Sequence, residues 1–162
     1  MHRSRNIANK IYIYVHEKDV SIKTNLTPEF FSNAWLTIEQ NGTITVRGSN
    51  GEGYAWDGCS PKTIILDLIF GTPDGRLDLR TEKPITYFTS MIHDALYQFK
   101  EEVGISRKET DILFYLTLKE AKFKWSFIYY LGVRIGGWLY GKWKNKSAAK
   151  NIQVSERSWL AA

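Results

Sequence analysis

The chain has 162 residues, 43% hydrophobic and 24% charged, which is enough for one sizeable core, and no break in composition argues for a second domain. Its single cysteine, Cys59, excludes an intramolecular disulfide and a thiolate metal cluster. A formal net charge of +5 and a pI of about 9.2 favour anionic partners such as phospholipid headgroups or nucleic acid phosphates.

Read as one domain over 1–162, the chain divides into a β-rich part over 10–60, a helical part over 85–143 and a polar tail over 144–162. Met1 to Lys10 is polar and basic without an apolar centre, unlike a secretory signal. β-branched and aromatic residues predict a strand from Lys10 to Val15 and a shorter one from Asp19 to Lys23. Ala34 to Gln40 and Thr43 to Arg47 flank Asn41-Gly42, the dipeptide that best tolerates positive φ, so a hairpin with a two-residue turn is expected. Gly48-Ser49-Asn50-Gly51-Glu52-Gly53 and then Tyr54-Ala55-Trp56-Asp57-Gly58-Cys59-Ser60-Pro61 predict a loop whose backbone can approach a ligand. Trp56, Asp57 and Ser60 are its candidate binding side chains. The plainer alternative makes Asp57-Gly58 a turn, Ser60 a cap and Cys59 a buried small residue.

The second half carries the lead to chemistry. From Phe88, the apolar residues Met91, Ile92, Ala95, Leu96 and Phe99 recur at three- and four-residue spacing and form a core-facing stripe. His93 and Tyr97 share a face away from that stripe, directed to solvent or a cleft, with Asp94 about 100° from His93. Ser106-Arg107-Lys108-Glu109 is a capping-box pattern that starts the next helix at Arg107. If that helix folds back antiparallel, Asp111 reaches the imidazole, and His93, Asp111 and Tyr97 become a candidate catalytic set. With Leu113, Phe114, Leu116 and Leu118 around it, Asp111 should be paired or partly neutral. The competing reading has His93-Asp94 as a helix-surface pair and Asp111 answering Arg107 four residues away.

Trp125 to Trp143 is long and apolar enough to suggest a membrane span. Arg134 at its middle and the glycines at 132, 136, 137 and 141 favour packing against protein instead. The flanking Lys142, Lys144, Lys146 and Lys150, with the tryptophans, leave an interfacial helix as the alternative. Residues after Lys144 read as a mobile polar tail.

In order along the chain, Asp57-Gly58-Cys59-Ser60-Pro61, His93-Asp94-Ala95-Leu96-Tyr97, Ser106-Arg107-Lys108-Glu109-Thr110-Asp111 and Gly132-Val133-Arg134-Ile135-Gly136 resemble the phage-associated domain-of-unknown-function family 1353, over about Gly53 to Gly137. Cys59 and Trp56 depart from the alanine and threonine that the resemblance leads one to expect. It implies a phage or prophage origin and carries no activity. A second resemblance is to secreted and parvoviral phospholipases A2, which combine a glycine-rich calcium loop, a helix bearing H-D-x-x-Y and an aspartate from the next long helix. It implies His93 as general base, Asp111 as the group fixing its tautomer with Tyr97 beside it, and Asp94 with the Gly58 backbone as calcium ligands. No Y-G-x-G-G loop stands just upstream of the helix; Gly51 to Gly58 and Phe70 to Gly75 are the nearest candidates.

The expectations are an α+β fold, with a small N-terminal antiparallel sheet and about three C-terminal helices, and one of three functions. These are a calcium-dependent lipid ester hydrolase at a phospholipid surface, a non-enzymatic virion or assembly component contacting other virion proteins, and a nucleic-acid-binding protein. The last rests on lysines and aromatics interleaved between Lys119 and Lys144, without a recognised binding motif. Virion or host cytoplasm is the expected setting.

Overall fold

A computed structural model describes residues 12–59, 62–65, 68–71, 73–136 and 142–160, with backbone only for 62–65 and 68–71. The fold is α+β. Eleven strands are described: β1 Tyr14–His16, β2 Val20–Thr24, β3 Phe31–Ser32, β4 Leu36–Ile38, β5 Thr43–Val46, β6 Tyr54–Trp56, β7 Lys62–Ile65, β8 Leu68–Gly71, β9 Leu77–Asp78, β10 Lys83–Pro84 and β11 Val154–Arg157. The helices are α1 Tyr87–Gln98, α2 Arg107–Glu120 and α3 Ser126–Gly136. A five-stranded antiparallel sheet runs β11-β2-β5-β4-β3, and β1-β6, β7-β8 and β9-β10 form separate two-stranded pairs.

Alternation explains which face of the large sheet is covered. In β2, Val20, Ile22 and Thr24 are buried while Ser21 and Lys23 are not, as the two-residue period of a strand requires. Leu36, Ile38, Ile44 and Val46 continue that face, and α1 lays Met91, Ile92, Ala95, Leu96 and Phe99 on it. Burying each large apolar side chain contributes about 1.5–3 kcal/mol, so this layer is the main source of stability. A second, smaller cluster of Cys59, Ile85, Phe114, Leu118 and Phe123 lies under Tyr129 and Val133 of α3.

The hairpin of β4 and β5 is present, but its turn is one residue longer than expected. Glu39 pairs with Thr43 through an N–H···O bond of 2.9 Å, and the Gly42 N–H returns to the Glu39 carbonyl at 3.0 Å. Gln40-Asn41-Gly42 therefore forms a three-residue loop, a type I turn closed by Gly42 at φ +86°. Only the glycine takes positive φ. A Cβ there would sit 2.4 Å from the Thr24 carbonyl oxygen, so the adjoining strand also demands glycine.

Two other expectations change. Tyr54, Ala55 and Trp56 do not form a ligand loop but the fully buried strand β6, paired with β1. Trp56 donates to Ser90 Oγ at 3.1 Å and packs its ring 4.7 Å from that of Tyr87, so its size serves the core. The tail after Lys144 is held as well. Lys144 N–H bonds the Lys100 carbonyl, Asn145 Nδ2 the Gly104 carbonyl and Ala149 N–H the Glu109 carboxylate, before β11 pairs with β2. Its low hydrophobicity hid a strand held by backbone hydrogen bonds, with Ile152, Val154 and Trp159 packed against the main core. The expected strand start at residues 10 and 11 lies outside the described residues, as do Ser60 and Pro61.

The loops separate two kinds of glycine. Gly42→Ala should lower stability by roughly 2 kcal/mol or more, because it adds a backbone clash to the left-handed penalty of about 1–2 kcal/mol. Gly51→Ala, at φ +94° with open space around it, should cost only the conformational part. Urea denaturation of the two variants measures the difference.

Candidate functional site

α2 starts where the capping box requires. Ser106 Oγ accepts the Glu109 N–H at 3.3 Å and Glu109 Oε2 accepts the Ser106 N–H at 2.7 Å, so two donors of the first turn are satisfied reciprocally. The helix then runs back along α1. Tyr97 meets Asp111, and His93, one turn earlier on α1, meets both Asp111 and Phe114 further along α2. The antiparallel return thus brings His93, Tyr97 and Asp111 together.

Asp111 is the centre of the arrangement, with a fully buried side chain. Its Oδ1 accepts from Tyr97 Oη at 2.8 Å and pairs with His93 Nε2 at 3.1 Å. Its Oδ2 accepts from Arg134 Nη1 at 2.9 Å, while Arg107 Nε stands 3.9 Å away. Burial alone would raise the Asp111 pKa, but hydrogen bonds from His93, Tyr97 and Arg134 and the charge of His93 outweigh it and hold the carboxyl below its ordinary value. Burial first, and then the charge and hydrogen bond of Asp111, push the Tyr97 hydroxyl far above its ordinary value, so it stays a neutral donor.

An ionised carboxylate only accepts hydrogen bonds, so the network assigns the His93 proton to Nε2 and leaves the lone pair of the neutral ring on Nδ1. The ring is wedged between Tyr97 and Phe114, at centroid distances of 4.4 and 4.6 Å, and its side chain is 14% exposed. His93 and Tyr97 therefore face the α1–α2 seam, not open solvent or a wide cleft. Packing of α2 decided this, and the helical wheel of α1 alone could not show it. Beside His93 lies a cavity of about 10 Å³, bounded by Ile22, Ile92, Thr110 and Thr117 among others. Thr110 Oγ1 at its wall is buried without a hydrogen-bond partner. Such a volume admits about one water molecule.

Arg134 is the member of the site that the sequence pattern did not single out as functional. It looked like an interruption in an apolar helix, yet a lone cation in such a helix is itself a signal that a buried anion stands opposite. Arg107 completes the tie by donating from Nη2 to the Arg134 carbonyl at 3.1 Å, near the end of α3.

The other candidates do not converge here. Trp56, Asp57 and Gly58 do not border the cavity, and Cys59 N–H instead bonds Asp74 Oδ1 at 2.9 Å. Asp94 lies partly buried on α1 beside His93. Among the described residues, no group of three or more His, Cys, Asp or Glu side chains is placed to hold a metal ion. No helix among the described residues is long and apolar enough to cross a membrane.

No protein-family model, no curated protein and no solved structure matches the chain.

Removing the central carboxylate should be costly. Asp111→Ala strands Arg134, Tyr97 and His93 around an empty acceptor position and should destabilise the fold by roughly 3–5 kcal/mol. The wild type should show the matching pH dependence. Because folding lowers the Asp111 pKa, the unfolded chain binds more protons, so this stabilisation is complete above the unfolded value of 3.8 and is lost as pH falls through the folded value. Urea titrations from neutral pH to pH 3 should show the decline, and Asp111→Asn should flatten it.

Proposed function

We propose that the chain is a hydrolase of phospholipid esters in a phage or prophage setting, with His93 as general base and Asp111 and Tyr97 as the groups that position it. The observation that carries this reading is a histidine whose Nε2 is fixed 3.1 Å from a buried carboxylate, beside a cavity with room for one water. Nδ1 would take a proton from that water as its oxygen attacks the ester carbonyl, and would pass it on to the departing alkoxide. Asp111 stays ionised and stabilises the imidazolium formed between the two transfers. The resemblance to family 1353 supports the phage setting.

A second reading, a non-enzymatic component of a phage particle, is favoured by one observation. The cavity of about 10 Å³ is too small for an ester, so hydrolysis requires the helices around His93 to part. In the closed form the same residues do no more than lock three helices.

A mixed-micelle assay of fatty-acid release, run with calcium and with a chelator, separates the readings. His93→Gln keeps an amide donor for Asp111 but no base, and should reduce hydrolysis by about 10²–10⁴-fold with little change in melting temperature. Wild-type protein that releases no fatty acid under either condition would overturn the hydrolase reading in favour of the second.

A further inference from the structure

α3 presents its apolar residues the wrong way for a helix that only packs inward. Phe127, Leu131 and Ile135 recur every four residues and Ile128 lies beside them, forming one stripe that is 38–69% exposed. Trp125, 62% exposed, extends it at the N-terminal end. The opposite face, with Ser126, Tyr129 and Val133, already rests on the smaller core cluster, so the outward stripe is not the helix's packing face. Cβ atoms built at Gly132 and Gly136 would touch nothing within 4 Å.

Charge says what covers this stripe. From Ala121 to Ser155 there is no Asp or Glu, against six lysines and Arg134, so this stretch carries +7 of a chain whose net is +5, and the remainder nets −2. Lys122 and Lys124 are exposed just before α3. Lys119 stands 6.0 Å from the Tyr115 ring, which in turn packs on Phe127 and Tyr130. An apolar stripe flanked by lysines and aromatic rings, on a stretch that itself carries no Asp or Glu, matches the interface of an anionic bilayer, where apolar groups enter the acyl boundary and ammonium groups meet phosphates. A second copy of the chain would bring the same lysines against themselves.

We propose that α3 docks this protein in the plane of an anionic phospholipid surface, with Trp125, Phe127, Ile128, Leu131 and Ile135 entering the headgroup boundary and Lys119, Lys122 and Lys124 contacting phosphates. This rests on the lipid-directed reading for its purpose and names the surface on which the same site would work.

Co-sedimentation of the full chain with ether-linked phosphatidylcholine vesicles, with and without ether-linked phosphatidylglycerol, tests it. Ether lipids lack the ester carbonyl, so binding is scored whether or not the protein hydrolyses anything. The wild type should bind the anionic vesicles and leave the zwitterionic ones largely free. Ile128→Ser/Ile135→Ser, at positions 55% and 69% exposed, should bind roughly tenfold more weakly at any salt concentration. Lys119→Glu/Lys124→Glu should lose the salt-sensitive part of the binding. Absence of wild-type binding to anionic vesicles, or binding that both double variants leave unchanged, would overturn the proposal. So would a dimer in solution that Ile128→Ser/Ile135→Ser dissolves while vesicles remain unbound, which would make a second copy the occupant. Vesicle binding without fatty-acid release would leave this surface standing and remove only the hydrolase.

Discussion

A carboxylate taken wholly out of water has to find its hydrogen bonds inside the protein, and Asp111, on α2, finds them on both of the other helices. Tyr97 and His93 reach it from α1, Arg134 from α3, and Asp111 itself is fixed by the backbone of α2. Losing any one of these partners leaves the others around an imperfectly satisfied charge, which makes the cluster cooperative. Arg107 adds a reverse tie, since it holds the backbone of the residue whose side chain holds Asp111. The helical half is therefore organised around one negative charge, while the sheet half is organised around apolar area.

The division between what could and could not be read from the sequence follows the same line. Capping chemistry is local, so Ser106 and Glu109 announced the start of α2 to the residue. The apolar stripe of α1 and the alternation of β2 were equally plain, because period alone determines which side is buried. The end of α2 was harder to see. Lys122 takes the left-handed position, φ 57°, that usually calls for glycine, while the Phe123 N–H closes on the Leu118 carbonyl. β6 was obscured by the glycines before it and by Asp57-Gly58 after it, although its three residues are among the most buried in the chain.

Within the site, the approach of His93, Tyr97 and Asp111 was legible because it needed only two helices and a short connection. The role of Arg134 was not, since its partner depends on how a third helix crosses the second. The size of the cavity was equally hidden. It is set by Phe114, Ile22 and the threonines at 89, 110 and 117, whose meeting across the helix seam no sequence pattern shows. Sequence patterns identify groups able to do chemistry, whereas the room left for a substrate is a property of packing.

The large sheet has one further consequence, for the order in which the protein takes shape. Its fifth strand, β11, comes from the far end of the chain and pairs with β2, and Gln153 bonds Asn25 across 128 residues. Phe88 likewise stacks on Trp159 at 5.1 Å, and Arg157 forms an ion pair with Glu120. On a ribosome, β2 must wait with one edge unpaired until all three helices have emerged, which at about 5–20 residues per second is several seconds or more. During that interval the exposed edge is open to other strands, including those of neighbouring nascent chains. The last few described residues therefore act as a closing seam, and the yield of correctly assembled protein depends on how quickly that seam forms.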